Sequence, residues 1–573
     1  MRKNSLFLFY IATNFFFGGV SYSQVLLPGD ADTSRLRPPR LPLPTTPKFD
    51  LRIESPEKSP VPKAVDDITF EVKAIDLDGA EYYKKSEIDE IFSPLIGKKI
   101  SLDELRKATE KLEKKYKDDD FFLVRVIIPP QEVENGVFKV KVIEGYINNV
   151  FVEGGNKYSR EKILSVVKKL ENKKPIDLES LERALLLLND LPGISGNGVL
   201  RQGSDVGSSE LLVTINPPPP TSYMLTLNNG ASKTMGQYST NINATFNNPD
   251  YPSSVSVGFS SALKNDDDQL FNPILKAFNG TYSTSIGDDG LIFSLAGVLA
   301  NAKPQGSIKS LGILSKSYSF APRLRYPIKR SRDESYYLEG GLNVARSETF
   351  LLDSSTTKDR LTVADFVFSV TNDVWFGGST QLNFTVAQGL DLFGSRGEST
   401  SLPGPSIANF KQNFLKYKFS GNHSLPVKKI NGSLKLTGQA QWTNDKLLAG
   451  EQITFGGPAI GRGYDGGAIA GEMGFGLSVE LSKKLKRKNF LGLDLSNFEL
   501  FGFIDYAEAK ILKEPISGTP EKSSYIGSHG IGARLSEKSG LMLDLTIARA
   551  RNEKPSQDAK RNPRVIMSLT KPF

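Results

Sequence analysis

Cysteine is absent from all 573 residues, which excludes disulfides, thiol catalysis and zinc–thiolate sites. Histidine is almost as scarce. His423 and His529 are the whole supply, too thin for imidazole catalysis or a histidine-rich metal centre. After residue 23 no uncharged run is long enough for a membrane-spanning helix. The net charge of +8 is spread along the chain, and no dense Lys/Arg run with interleaved aromatics marks a nucleic-acid groove. No cofactor is expected and no nucleic-acid partner. Ser424 beside His423 is only a sequence neighbour without an orienting third group, so an enzyme is not expected either.

What is present falls into blocks, because 573 residues exceed one ordinary core. Residues 1–23 read as a signal peptide: Arg2 and Lys3 give a positive start, Leu6–Val20 is mostly apolar, and Ser21 and Ser23 supply small residues at the cut. Residues 24–64 are linker-like, with eight prolines between Pro38 and Pro62, and favour extended polyproline geometry. Within them Asp30–Arg37 is the one helical candidate.

Two similar units follow, at 66–145 and 146–217, each reading as strand-helix-helix-strand-strand. In the first, Thr69–Ile75 alternates as a strand and Ser86–Phe92 is a short helix. Ser101-Leu-Asp-Glu104 is a capping box opening a second helix, and Phe122–Ile128 and Val137–Ile143 are strands joined through Asn135-Gly136. In the second, Ile147–Val152, helices from Ser159 and through Leu178–Leu188, and strands near Gly198–Arg201 and Glu210–Ile215 repeat the order.

From 221 to 573 helical periodicity disappears. Leu434, Leu436, Ala440 and Trp442 share one face of a strand and Ser433, Lys435, Thr437, Gln439 and Gln441 the other. About sixteen strands of this kind, many about ten residues long, match a closed antiparallel barrel crossing an outer membrane. Short connections (Asn247–Pro252, Gly287–Gly290, Phe376–Ser379, Ser536–Gly540) alternate with long ones (Gly394–Ile407, Asn444–Glu472, Lys510–Tyr525), as inner turns and outer loops should.

The longest outer loop, 444–472, holds Gly461-Arg-Gly-Tyr-Asp-Gly466. It matches G-x-G-x-x-G literally, but no helix follows and no strand-helix-strand unit surrounds it, so nucleotide binding is rejected. A single cation, Arg462, stands beside Tyr464 among glycines that allow close backbone packing.

On these residues the chain resembles the outer-membrane transporters of two-partner secretion (the TpsB type), the ShlB/FhaC/HecB haemolysin secretion and activation family. The paired units resemble its polypeptide-transport-associated (POTRA) domains, through Phe121-Phe-Leu-Val-Arg-Val126, Ile128-Pro-Pro-Gln131 and Val142-Ile-Glu-Gly145. Arg462-Gly-Tyr464 resembles the signature of the sixth outer loop. Phe503-Ile-Asp505 resembles the F-x-D-x-G strand motif, with Ala507 in place of its glycine, and terminal Phe573 the insertion signal read by the barrel-assembly machinery.

The resemblance implies a fold of two POTRA domains, an α+β periplasmic region, before a 16-stranded transmembrane β-barrel. It implies that loop 444–472 folds into the lumen, where Arg462 pairs with Asp505 and Gly463, Tyr464 and Phe503 complete a lock. A plug helix in the pore is a further family feature. The implied function is nucleotide-independent secretion of an unfolded partner, a large β-helical adhesin, haemolysin or contact-dependent toxin. Partner contacts are expected at Phe122, Val124, Val126, Ile128, Gln131, Glu144 and Gly145. Outer-membrane lipid, the assembly machinery and periplasmic chaperones complete the expected partners. An assembly insertase of the same superfamily and a diffusion porin are the alternative readings.

Overall fold

Helical periodicity in one stretch and strict alternation in the next give the chain two kinds of structure. The computed structural model describes residues 32–44, 52–53, 69–133, 135–216, 218–232, 234–248, 250–263, 273–397, 402–485, 489–490, 493–494, 497–513, 520–552 and 562–573. The expected signal peptide, 1–23, lies outside the described residues.

Strand β1 is Arg52–Ile53. The first unit contains β2 (Ala74–Asp78), α1 (Lys85–Phe92), α2 (Leu102–Asp118), β3 (Arg125–Ile127) and β4 (Val137–Ile143). Helix α2 starts where expected, because Ser101 Oγ accepts the Glu104 N–H at 3.2 Å and Glu104 Oε2 accepts the Ser101 N–H at 2.8 Å. Leu105, Ala108, Leu112 and Tyr116 then bury one stripe against Phe138, Val140 and Val142 of β4. Asn135 and Gly136 both take positive φ, as the tight hairpin between β3 and β4 requires.

Three expectations shift here. Thr69–Ile75 is two pieces: Thr69–Glu71 pairs with Lys99–Ser101, and β2 begins at Ala74. Ser86 lies inside α1, and Lys84 takes the N-cap position. Only Arg125–Ile127 of Phe122–Ile128 is strand, because Phe121 and Val124 turn inward to fill the core.

The second unit contains β5 (Tyr146–Glu153), α3 (Lys157–Val167), α4 (Leu178–Asn189), β6 (Gly196–Gln202) and β7 (Ser208–Ile215). Its sheet repeats that of the first. The first and third strands pair in parallel (β2 with β4, β5 with β7), and the second lies antiparallel on the third (β3 on β4, β6 on β7). Only Glu144 and Gly145 separate β4 from β5, so the two units share one short, hydrogen-bonded joint.

Sixteen of the strands that follow close into one antiparallel barrel. They are β8 (Thr221–Asn228), β9 (Tyr238–Asn248), β10 (Ser253–Leu263), β11 (Leu275–Ile286), β12 (Leu291–Ala302), β13 (Leu314–Arg330), β14 (Glu334–Leu351), β15 (Ser354–Asn372), β16 (Ser379–Leu390), β17 (Leu415–Val427), β18 (Gly432–Thr443), β19 (Met473–Leu485), β20 (Phe498–Ile511), β21 (Lys522–Ser536), β22 (Met542–Ala550) and β23 (Arg564–Pro572). Alternation assigns the faces: Phe475, Leu477, Val479 and Leu481 point outward from β19 while Ser478, Glu480 and Ser482 are buried inward. In hydrocarbon every backbone N–H and C=O must pair within the protein, and closure leaves no edge.

The barrel closes where β23 meets β8, over only five register pairs. Phe573 extends that seam: its N–H donates to Tyr223 O at 2.8 Å, and the Tyr223 N–H donates to Phe573 O at 3.2 Å. Lys571, on the outward parity of the last strand, donates to Ser539 O at 2.9 Å in an inner turn, so its charge sits at the rim. His423 and Ser424 lie within β17 rather than in a turn, and His423 Nδ1 is hydrogen-bonded to Thr380 Oγ1 at 2.9 Å.

The second unit is docked on the inner turns of the barrel. Arg330, at the end of β13, grips Asp190 bidentately, with Nε to Oδ2 at 2.8 Å and Nη2 to Oδ1 at 2.9 Å. Arg332 pairs with Glu182 at 3.0 Å and Lys169 with Asp288 at 3.1 Å. Burial pushes the Asp190 carboxyl up, against the opposing pull of Arg330. Replacing Asp190 by alanine removes the carboxylate from a buried guanidinium, which keeps Ser335 Oγ at 3.2 Å, a cost of about 3 kcal/mol. Spin labels placed on α4 and β13 of Asp190→Ala are expected to give a broadened distance distribution in detergent. An unchanged distribution would show that the pair does not hold the dock.

Candidate functional site: the in-folded loop and the lumen

Glycine lets loop 444–472 lie flat against the inner wall. Gly461 has φ +92°, and a Cβ there would sit 2.6 Å from Ile526 Cδ1. At Gly463 a Cβ would meet Ala550 N at 2.6 Å. Inside the lumen the loop forms its own small core, with Ile453, Phe455, Ile460, Tyr464 and Ile469 packed on Ala507, Ala509, Ile526 and Ala550. Ala507, which departs from the expected glycine, thus supplies a methyl to this contact.

Asp505 is 1% exposed and receives five hydrogen bonds. Gly461 N–H, Arg462 N–H and Arg462 Nε reach Oδ2 at 3.1, 3.0 and 3.2 Å, Arg462 Nη2 reaches Oδ1 at 3.1 Å, and Ser528 Oγ reaches Oδ2 at 3.0 Å. The Arg462 side chain therefore binds bidentately to Asp505. Its Nη1 donates to Glu480 Oε2 at 2.7 Å and its Nη2 to Ser478 Oγ at 2.7 Å. The guanidinium also stacks 3.5 Å from the Phe503 ring centroid.

Glu480 continues the row to Arg534 Nη1 at 2.6 Å, and Arg534 Nε reaches Asp544 Oδ2 at 2.8 Å. Arg534 stacks on Phe501 at 3.9 Å. Charges of alternating sign thus run from loop to wall, one aromatic under each arginine. Gly530 and Gly532 leave room for those rings, since Cβ atoms there would lie 2.7 and 2.2 Å from Phe503 Cζ and Phe501 Cζ.

Tyr464 Oη donates to main-chain oxygens at the outer end of the wall, with Gly527 O at 3.2 Å and Asn552 O at 3.1 Å. Arg564 donates to Tyr464 O, and also to Gly230 O and Ala231 O at 2.8 and 3.0 Å, tying the loop to both sides of the seam.

Residues 32–44 also lie in the lumen. The first two residues of the helix expected over Asp30–Arg37 lie outside the described residues, and the rest forms a single 3-10 turn, Thr33–Arg35, with Asp32 Oδ1 accepting the Ser34 N–H at 2.9 Å. Pro38 and Pro39 force the extended chain that follows. Thr33 Oγ1 bonds Ser315 Oγ at 2.8 Å. Arg37 pairs with Glu451 at 2.6 Å, and Arg40 with Glu339 and Asp365 at 2.8 and 2.7 Å. Each of these carboxylates already has a cation of the barrel: Lys416 on Glu451 at 2.6 Å, Arg325 on Glu339 at 2.7 Å and Arg323 on Asp365 at 3.4 Å.

The structure places most of the residues expected to touch a partner within the first unit's own fold. Val124 and Val126 are buried in the core, Ile128 packs against it, and Phe122 packs on the core of the second unit. Gln131 bonds both main-chain groups of Lys139, at 2.8 and 2.7 Å. Glu144 Oε1 accepts the N–H groups of Glu81 and Tyr82 at 3.0 and 2.9 Å and the Tyr116 hydroxyl at 2.6 Å. Burial first and that carboxylate second push the Tyr116 hydroxyl up, so it stays a donor. A Cβ on Gly145 would lie 2.5 Å from Leu123 O, so glycine keeps the joint closed.

Ser478, Glu480, Phe501, Ser528, Arg534, Asp544 and the lumen carboxylates were not singled out from sequence. Their signal was the inward parity of their strands, shared with many other polar residues.

A profile of the haemolysin secretion/activation protein ShlB/FhaC/HecB matches residues 207–535, and a profile of the ShlB-type POTRA domain matches residues 70–145. The chain is 22% identical over 474 residues to the heme/hemopexin transporter protein HuxB of Haemophilus influenzae, covering 81% of this chain and 80% of that protein. It is 24% identical over 428 residues to the outer membrane transporter CdiB of Escherichia coli, covering 74% and 70%. The solved structure of CdiB from Escherichia coli superposes with a TM-score of 0.69 at 18% identity, covering 92% of this chain and 94% of that one. With the profile matching more than half of its length, the chain belongs to the ShlB/FhaC/HecB haemolysin secretion/activation family, as an outer-membrane transporter of two-partner secretion whose POTRA region is periplasmic.

Proposed function

We propose that the pore is closed at rest by two internal elements, residues 32–44 and loop 444–472, and opens to pass an unfolded secreted polypeptide. The observation that carries this reading is the Arg462–Asp505 pair. Among the described residues Arg462 is the only cation on Asp505, so loop withdrawal leaves a buried carboxylate with Ser528 alone. Such a pair resists thermal opening yet yields to a competitor that supplies new contacts.

The relatives named as transporters of heme/hemopexin and of haemolysin support a large secreted protein as cargo. A β-helical adhesin, haemolysin or contact-dependent toxin fits a lumen lined by polar side chains that passes chain and not folded domains. Folding of the cargo outside supplies direction without nucleotide. During biogenesis, Phe573 at the seam is the terminus we assign to recognition by the barrel-assembly machinery after delivery by periplasmic chaperones.

Arg462→Ala and Asp505→Ala are each expected to leave a heat-modifiable barrel in the outer membrane while secretion of the cognate partner drops about tenfold or more, since stranding one member of a buried pair costs about 3–5 kcal/mol. Normal secretion by both variants would remove the lock. Arg37→Ala/Arg40→Ala is expected to raise the open fraction of single channels in planar bilayers without lowering barrel yield, because both arginines dock on pairs that are neutral without them. Channel records identical to the parent's would show that residues 32–44 do not obstruct the pore.

A further inference from the structure

The outer faces of the three longest strands change character part of the way up. On β13, β14 and β15 the lower outward positions are apolar and exposed, among them Phe320, Leu324, Leu338, Phe366 and Phe368. Above them the register sets Tyr318 opposite Arg346, and Arg346 opposite Arg360. One pleat higher, Glu348 stands between Lys316 and Lys358. Side chains two residues apart share a face, so these six form two rows on the outside of the barrel.

Their height follows from strand geometry. Twelve positions separate Arg346 from Glu334 and Arg360 from Asn372, the inner ends of β14 and β15. At about 3.4 Å per residue and a tilt of about 45°, twelve residues rise roughly 29 Å, close to the thickness of the hydrocarbon core. Both arginines therefore stand where acyl chains give way to headgroups. Tyr318 is level with them, at the usual height of an interfacial aromatic.

Like charges directly opposite across two strands repel. Among the described residues no carboxylate pairs with either arginine. The one carboxylate of the patch, Glu348, is held by Lys358 at 3.5 Å and by Ser355 Oγ at 2.6 Å. Arg346 donates only to main-chain oxygens, Ala345 O at 2.8 Å, Leu361 O at 3.2 Å and Phe393 O. Arg360 is exposed.

The chain beyond β16 adds an apolar shelf. Leu392 O accepts the Thr362 hydroxyl at 2.9 Å, and the Arg396 N–H donates to Arg360 O at 2.9 Å. Thr362 is on the outward parity yet has no exposure, so this segment lies across the outside of β15. The Leu392 and Phe393 side chains remain exposed on it.

We propose that this patch binds the phosphorylated headgroup of an outer-leaflet glycolipid, with phosphate on Arg360, Arg346 and Lys316 and acyl chains descending over Phe320 and Phe366. The proposal stands independently of the secretion reading. One ligand chemistry satisfies both halves of the surface, a compact anion above long apolar chains. The guanidinium fork matches phosphate oxygens bidentately, and basic residues at a membrane boundary hold anionic headgroups. A bound headgroup also relieves the repulsion between Arg346 and Arg360 and fixes the height of this flank in the membrane.

The test uses the full-length protein, delipidated in detergent, with native mass spectrometry to count bound lipid A. The parent is expected to bind bisphosphorylated lipid A about tenfold more tightly than the same lipid stripped of both phosphates, the equivalent of one charge-assisted hydrogen bond. Arg360→Ala/Lys316→Ala is expected to lose about tenfold in affinity for the bisphosphorylated lipid, with the yield of heat-modifiable barrel unchanged. Lys428→Ala/Lys429→Ala removes the same charge from the inner turn at Lys428–Ile430 and is expected to bind as the parent does. Inorganic phosphate in about tenfold excess is expected to leave the lipid bound, because it lacks the chains that cover the apolar band.

Equal affinity of the parent for phosphorylated and stripped lipid overturns the proposal, and that comparison needs no variant to fold. An equal loss in both double variants overturns it as well, since bulk charge would then explain the binding. Complete displacement by inorganic phosphate would assign the patch to a free anion and overturn the lipid site.

Discussion

The barrel exists because hydrocarbon offers backbone groups no partners. Sixteen strands satisfy one another only by closing, and closure creates a lumen lined by the inward half of every strand. From that point, charge governs the interior. Burying a carboxylate such as Asp505, 1% exposed, is costly unless a cation and several donors accompany it, and the in-folded loop brings both. The glycines beside Arg462 follow from the same need, since the loop main chain must itself donate to the carboxylate.

The two elements in the lumen are held in physically different ways. The loop arginine is the only cation on its aspartate among the described residues, and Phe503 and Phe501 clamp the row of charges from below. Residues 32–44 instead add arginines to ion pairs the wall already contains. Leaving is therefore costly for the loop and cheap for the leader segment. Such an ordering suits a gate in which one obstruction clears first and the second yields only to a bound substrate.

Much of this architecture was legible in the residues because strand alternation is a local signal. Leu477, Val479 and Leu481 against Ser478 and Glu480 identify both faces of β19 without any knowledge of its neighbours. Strand β4 was readable to its ends from Val137-Phe-Lys-Val-Lys-Val-Ile143 and the Asn-Gly turn before it. Arg462 beside Asp505 came from the family resemblance. What the residues did not disclose depends on register between distant strands. Glu480 meets Arg534 across β20, and nothing local distinguishes that glutamate from any other lumen carboxylate. Among the described residues, Asp30–Arg37 forms only the turn Thr33–Arg35, because lumen partners such as Ser315 and Glu451, distant in sequence, hold the rest extended. In the first unit, the alternation of Val124 and Val126 marks a face that the structure buries in the unit's own core.

Strands β13, β14 and β15 run to 17, 18 and 19 residues, well beyond the nine to eleven that a tilted crossing needs. At about 3.4 Å per residue and a tilt of about 45°, the longest rises roughly 45 Å along the membrane normal, about 15 Å more than the hydrocarbon core. Because β14 and β15 are joined outside by only Leu352 and Asp353, that surplus stands as a stiff parapet on one flank of the mouth. A chain leaving the pore is screened from surrounding headgroups on that flank and open to water on the other, so its first folded turns start against a wall of fixed β-structure.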